Sequence, residues 1–172
     1  MAFDRQPELK GVLIELRPLR ADDFDALFAA GSDPLIWEQH PAKTRYERDE
    51  FTKFFNDALG SGGALVALDA KDGTVIGSSR YYGYDEANSE VEIGWTFLAR
   101  SHWGGKYNGE MKQLMLAHAF KFVRNVVFLI GPQNIRSQKA VGKIGGIQIA
   151  NRLNSLGADC VVYRITDPAA IS

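Results

Sequence analysis

The sequence predicts an α/β fold: a mixed, mostly antiparallel central sheet with flanking helices. Three observations predict it. Strand-like runs follow one another in the middle of the chain, at residues 64–68, 75–82 and 90–98. Segments with apolar residues at helical spacing stand on either side of that block. Beyond residue 98 the order becomes strand, helix, strand, which calls for a crossover and a locally parallel pair.

At the start, Val12, Ile14 and Leu16 alternate with polar or small neighbours before Pro18, the pattern of a first strand. Ala21-Asp22-Asp23 opens a helix whose face carries Phe24, Leu27 and Phe28, and Gly31 to Pro34 break it. Thr44 and Glu47 have capping-box spacing and predict the start of a second helix, with Phe51, Phe54, Phe55 and Leu59 on one face. Gly60-Ser61-Gly62-Gly63 stops it. Asp69-Ala70-Lys71-Asp72-Gly73 joins the first two central strands as a hairpin, and Asp85-Glu86-Ala87-Asn88 turns the chain into the third. After Trp103-Gly104-Gly105, a helix is expected from Tyr107 or Asn108, with Met111, Leu114, Met115, His118 and Phe122 inward. Val126 to Ile130 reads as a buried strand and Ile135 to Ile144 as a helix stopped by Gly145-Gly146. A final hairpin pairs 147–153 with 160–165 through Asn154-Ser155-Leu156-Gly157, and 167–172 is expected to fray. No repeat or linker divides the chain, so 1–172 is expected to be one domain.

The composition narrows the function. Apolar residues are 45% and charged residues 24%, an ordinary globular mixture, and the net charge is -1. Such a balance gives no electrostatic reason to coat nucleic acid. The N-terminus has no secretory apolar run, and no segment reads as a membrane span. Cys160 is the single cysteine, so no internal disulfide can form. A cytoplasmic protein with no membrane or nucleic-acid partner is expected, and a homodimer is left open.

Two stretches carry the functional signal. Residues 92–110, EIGWTFLARSHWGGKYNGE, run from a strand through a small-residue turn into a helix. Helix-initial N–H groups lack partners and favour anions such as phosphate, and Arg100, Lys106 and Lys112 add positive charge nearby. In the second stretch, Asn134 and Ser137 can reach a ligand edge while Arg136 and Lys139 meet negative charge. Asn134 also serves as a plain N-cap. The histidines His40, His102 and His118 have no close ligand spacing, so no metal is expected. Cys160 reads as core, and so does His118.

These residues, with Leu16-Arg17-Pro18-Leu19, Asp22-Asp23, Glu92-Ile93-Gly94-Trp95, the run Asn134 to Ala140 and Lys143-Ile144-Gly145, resemble the GCN5-related N-acetyltransferase superfamily. The likeness is greatest to its ribosomal-protein N-terminal acetyltransferase-like branch and spans almost the whole chain. It implies that the parallel pair splays, admitting the pantetheine of acetyl-CoA alongside Trp95, Phe97 and Leu98. It implies a phosphate turn over Trp103, Gly104, Gly105, Lys106, Tyr107, Asn108 and Gly109, with further coenzyme contacts from Asn134, Arg136, Ser137 and Lys139. Two departures stand out. Lys106 and Asn108 occupy small-residue positions of the family's loop, and Val141 stands where a tyrosine acid is common.

The reaction so implied is acetyl transfer to a primary amine of a small molecule or a protein N-terminus. Glu92 is the expected general base, with Glu90 on the same strand face. His102 is a second proton-transfer candidate, and Ser137, Tyr107 or water would protonate the leaving thiolate. Trp37 and Tyr81-Tyr82-Gly83-Tyr84 are candidates to line the acceptor pocket, where Glu38, Asp85 or Glu86 would attract a cationic amine. The alternative is a non-catalytic coenzyme A-binding or protein-interaction module on the same fold.

Overall fold

The computed structural model describes residues 2–154 and 156–170. Eight strands form one sheet: β1 (Leu9–Lys10), β2 (Ile14–Pro18), β3 (Ala64–Asp69), β4 (Val75–Asp85), β5 (Glu90–Leu98), β6 (Asn125–Ile130), β7 (Ile147–Leu153) and β8 (Asp159–Thr166). Their order is β1-β2-β3-β4-β5-β6-β8-β7, with β5 and β6 parallel and every other neighbour pair antiparallel. Among the described residues four α-helices flank it: α1 (Phe24–Gly31), α2 (Arg48–Ser61), α3 (Lys106–Ala119) and α4 (Ile135–Lys143).

The sheet separates two cores. On one face, Leu27 of α1 and Phe51, Phe54, Phe55 and Ala58 of α2 pack with Val66 and Phe97. On the other, Met111, Met115 and Ala119 of α3 and Val141 of α4 pack with Ile14, Tyr81, Val91, Ile93 and Phe128. The strand period of two and the helical period of 3.6 therefore deliver their apolar residues to the same two layers.

Several local expectations are corrected. The first long strand begins at Ile14, and Val12 is 87% exposed in the turn after β1. The carboxylate of Glu110, on α3, accepts the N–H groups of Val12 (2.7 Å), Leu13 (2.7 Å) and Ile14 (2.9 Å), so that turn is satisfied by a helix far along the chain. Ala21-Asp22-Asp23 forms a 3-10 turn before α1, where the Asp23 carboxylate receives two N–H bonds from Arg17, at 2.8 and 2.9 Å. The Thr44–Glu47 capping box does not form: Glu47 is itself the N-cap of α2, without a side-chain bond. Thr44 lies one turn earlier, its carbonyl accepting the Glu47 N–H at 2.9 Å. Asp49 and Glu50 instead place negative charge at the positive end of α2. Phe122 lies in the turn beyond α3, against Phe3 and His118. The expected fray at the C-terminus is a 3-10 turn over Pro168–Ala170 preceded by an Asp167 N–H bond to the Arg124 carbonyl, 2.7 Å. Residues 171 and 172 lie outside the described residues, as does Ser155 in the β7–β8 turn.

The feature that positions the site is the parallel pair. β5 and β6 are in register at Glu90/Asn125, Val91/Val126 and Glu92/Val127, and there their pairing ends. Both strands continue, to Leu98 and Ile130, but no longer to each other. At the same level β5 slips register against β4, and Trp95 adopts a left-handed φ of 52°. This bulge places two consecutive residues, Gly94 and Trp95, where one would stand. Thr96 and Leu98 consequently continue the face begun by Val91 and Ile93.

Candidate active site

One side of the splay leads to the start of α3. Gly104 and Gly105 have φ of 121° and 98°, and Gly105 is the N-cap. A Cβ at either would meet nothing, so the requirement is conformational and not steric. Among the described residues no side chain caps the helix, and the Gly109 N–H reaches the Gly105 carbonyl at 2.8 Å. The N–H groups of Lys106, Tyr107 and Asn108 thus have no acceptor within the helix. Together with the helix dipole they suit a diphosphate. The exposed Lys106 side chain stands at that end.

The turn before α3 is tied to α4. Trp103 Nε1 donates to the Leu98 carbonyl at 2.9 Å, and the Arg136 guanidinium lies 4.3 Å from the Trp103 ring centroid. Arg136 also donates to the Ile36 carbonyl (3.1 Å), and its N–H to Gln39 Oε1 (3.0 Å). Asn134 is buried and caps α4, its Oδ1 accepting the Ser137 N–H at 3.3 Å. Lys139 is exposed on α4. Phe97 and Leu98 are both 5% exposed, in opposite cores, so what they can offer an extended ligand is backbone.

On the α1–α2 face, Glu92 is half-buried on the last paired rung of the splay. Burial pushes its carboxyl up to about 7, against the opposing charges of Arg80 and Arg152 and with help from Glu90. Gly94 leaves room for it: a Cβ there would stand 3.0 Å from Glu92 Oε2. Glu90 pairs with Arg152 of β7 at 3.5 Å. Cys160 is buried nearby, its thiol pushed up by burial and then by the charge of Glu92. A cleft of about 180 Å³ opens between residues 39–43, residues 131–133 and the β7–β8 turn.

Comparison with known proteins identifies the frame. Residues 14–147 match the acetyltransferase (GNAT) domain. The chain belongs to the GNAT acetyltransferase family. Solved structures agree on the fold. The chain is similar to a GCN5-related N-acetyltransferase from Brucella melitensis, with a TM-score of 0.82 and 21% identity over 94% of this chain and 79% of that one. It is similar to a GNAT-family acetyltransferase from Bacillus anthracis, with a TM-score of 0.75 and 17% identity over 93% and 98%. It is also similar to Mycobacterium smegmatis RimJ in complex with CoA-disulfide, with a TM-score of 0.68 and 18% identity over 97% and 89%. No curated protein matches the chain.

In this GNAT domain the expected site residues fall into separate groups. Trp103, Gly104, Gly105, Lys106, Tyr107, Asn108 and Gly109 are contiguous at the α3 N-terminus, and Arg136 joins them through the Trp103 ring. His102 stands apart from Glu92. Its Nε2 pairs with Asp69 Oδ2 at 2.9 Å and its Nδ1 with Ser101 Oγ at 2.8 Å. Residues 92 to 98 of β5 alone separate the two by roughly 20 Å of strand. Two charges expected beside the phosphate turn are elsewhere. Arg100 pairs with Asp33 at 2.9 Å. Lys112 is buried under the splay, donating to Thr96 Oγ1 on β5 and lying 5.5 Å from the Phe128 ring on β6. Burial holds its amine down to about 7.

The residues that sequence reasoning missed are Arg80, Arg45 and Thr96. Arg80 did leave a signal: it is a lone charge in the strand run Ile76 to Tyr81, where all its neighbours are small or apolar.

Proposed function

We propose that the chain transfers an acetyl group from acetyl-CoA to a primary amine, on a small molecule or a protein N-terminus. The single observation that carries this reading is the parting of β5 and β6 beyond Glu92 and Val127, next to an uncapped helix start. The CoA-disulfide bound by RimJ, a neighbour with the same fold, supports coenzyme A as the carrier. When bound, acetyl-CoA supplies the activated acetyl group and the leaving thiol.

The chain's own residues supply the rest. The N–H groups of Lys106, Tyr107 and Asn108 and the side chain of Lys106 hold negative charge at the α3 end. Unpaired backbone groups on the β6-facing edge of β5 give hydrogen bonds to an extended ligand, and a donor there favours charge developing on a carbonyl oxygen. Glu92, with its carboxyl near neutrality, takes the proton that an ammonium must lose before it can attack. His102, with both ring nitrogens engaged, positions the turn between β5 and α3. Val141 is 4% exposed and has no proton to give, so the departing thiolate is protonated by Ser137, Tyr107 or water.

The buried Val141 also motivates a second reading, a coenzyme-binding module without turnover. Pure protein, acetyl-CoA and a broad primary-amine panel separate the two, with thiol release and product mass as readouts. An acetylated amine with stoichiometric thiol supports the enzyme. Tight coenzyme binding with no product from any amine would sink it and leave the module.

A further inference from the structure

Arg80 on β4 is 2% exposed, and only one of its three nitrogens is used: Nη1 donates to Asp57 Oδ2 at 2.8 Å. Among the described residues Nε and Nη2 are buried without any partner. Unpaired donors on a buried charge are costly and uncommon. Asp57, whose side chain is 71% exposed on α2, is a weak counter-charge because water screens it. The Arg80 guanidinium lies 4.2 Å from the ring centroid of Trp95, the residue held at left-handed φ beside the splay.

A second guanidinium converges on the same place. Arg45 lies 4.5 Å from the Phe54 ring, 5.9 Å from which stands Arg80, and 5.3 Å from the Trp37 ring. Among the described residues no hydrogen bond or ion pair joins its guanidinium. Burial and then the charge of Arg80 hold Arg45 down to about 10. Two positive groups therefore share the space around the Phe54 ring, with Asp57 and, toward Arg45, Glu50 as the opposing charges. That space adjoins the proposed base: Arg80 pairs with Gly94 and Tyr82 with Glu92 on adjacent strands. By contrast, Asp85, expected to attract a cation, accepts hydrogen bonds from Asn88 in its own turn.

We propose that the acceptor amine carries a carboxylate, bound by Arg80 and Arg45 on the α1–α2 face of the sheet while its amino group lies at Glu92. This rests on the acetyl-transfer reading above and names its substrate class. A planar fork with free Nε and Nη2 donors matches a carboxylate, which accepts two parallel N–H bonds. The aromatic rings exclude water around the pair and strengthen it. Free amino acids and peptide N-termini with an acidic side chain share this chemistry.

Matched acceptors decide it: glycine against glycinamide, β-alanine against propylamine, and C-terminally amidated Asp-Ala-Ala against Asn-Ala-Ala. The full chain should favour the carboxylate member of at least one pair by about 10-fold or more in kcat/KM, and the favoured pair tells amino acid from peptide. Arg45→Met should lower kcat/KM for that member by about 10- to 100-fold and leave its neutral partner within about threefold, whereas Arg80→Met, which also removes a charge acting on Glu92, should lower the carboxylate member more than the neutral one. Equal rates within every pair overturn the proposal, as does an equal loss for both members in the Arg45→Met protein, which keeps the test open if Arg80→Met does not fold. Tryptophan fluorescence with N-acetylglycine and N-acetylglycinamide reads binding without turnover. If no amine is acetylated, the acetyl-transfer reading falls, and preferential binding of N-acetylglycine, lost in Arg45→Met, still upholds the anion site. Indifference to the carboxylate removes it.

Discussion

At Glu92 the unfolded chain would titrate near 4.5, whereas the folded carboxyl sits near 7. Between those values the folded state holds a proton that the unfolded state has lost. The stability tied to Glu92 is therefore complete below 4.5 and lost as pH rises through 7. A shift of that size corresponds to at most about 3 kcal/mol. Glu92→Gln should raise stability at pH 8 by up to about 3 kcal/mol in urea unfolding, while turnover falls about 10²- to 10⁴-fold. In the wild type, turnover should climb with pH through about 7 and then level, and the Gln variant should lose that limb. An unshifted profile would remove Glu92 from the base role. Glu92 came from the family resemblance, because its strand resembles the family's catalytic strand. Arg80 left a signal as a lone charge in its strand, but its contacts with Asp57 on α2 and Trp95 on β5 and its shared ring with Arg45 join distant segments.

Among the elements, α3 carries two separate duties within its first two turns. Its start faces the anion, so Lys106→Glu should weaken coenzyme A binding about 10-fold by calorimetry, reversing the sign of the nearest charge. Gly105→Ala should cost about 1–2 kcal/mol in stability, since a side chain at φ 98° is strained even in open space. Unchanged affinity in Lys106→Glu would move the phosphate site elsewhere. Further along, the Lys112 amine is held down to about 7 from an ordinary 10.5. The unfolded chain then binds the extra proton between those values, and stability should rise with pH from 7 to 10.5. Lys112→Met should flatten that slope in denaturant titrations. Helix α3 was legible from its apolar spacing to within a residue or two of its start. Lys112 was misplaced because a lysine close to a glycine turn reads as surface charge, and only the bulge at Trp95 brings Thr96 round to receive it. The Thr44–Glu47 box failed for a related reason: the spacing was present, but Thr44 is engaged in a turn of its own.

Across the whole molecule, the sheet order beyond the central strands and the level at which β5 and β6 part are tertiary facts that no local pattern encodes. The family resemblance supplied the splay; the alternating runs supplied the strands. Electrostatics also act at this scale. Burial, with Arg45 close by, holds His40 down to about 4, and its Nδ1 accepts the Ala42 N–H at 2.9 Å. The folded state thus refuses a proton that the unfolded state binds, and stability rises with pH from 4 to 6.5. Glu92 works in the opposite direction over 4.5 to 7. Asp69, Asp72 and Asp85, each lowered first by a backbone N–H, matter only near and below 3.8. Stability should accordingly be nearly level between about pH 4.5 and 6.5, and Glu92→Gln should expose a rising slope there. The Glu110 carboxylate that gathers three N–H groups from residues 12–14 has a consequence for the nascent chain. Its partners are 96 to 98 residues apart. At ordinary translation speed, roughly 5 to 20 s pass between their appearances. Through that interval those three N–H groups have only water to bond with, so the N-terminal edge of the sheet is sealed late, and a stalled chain ending before Glu110 should leave it open to protease.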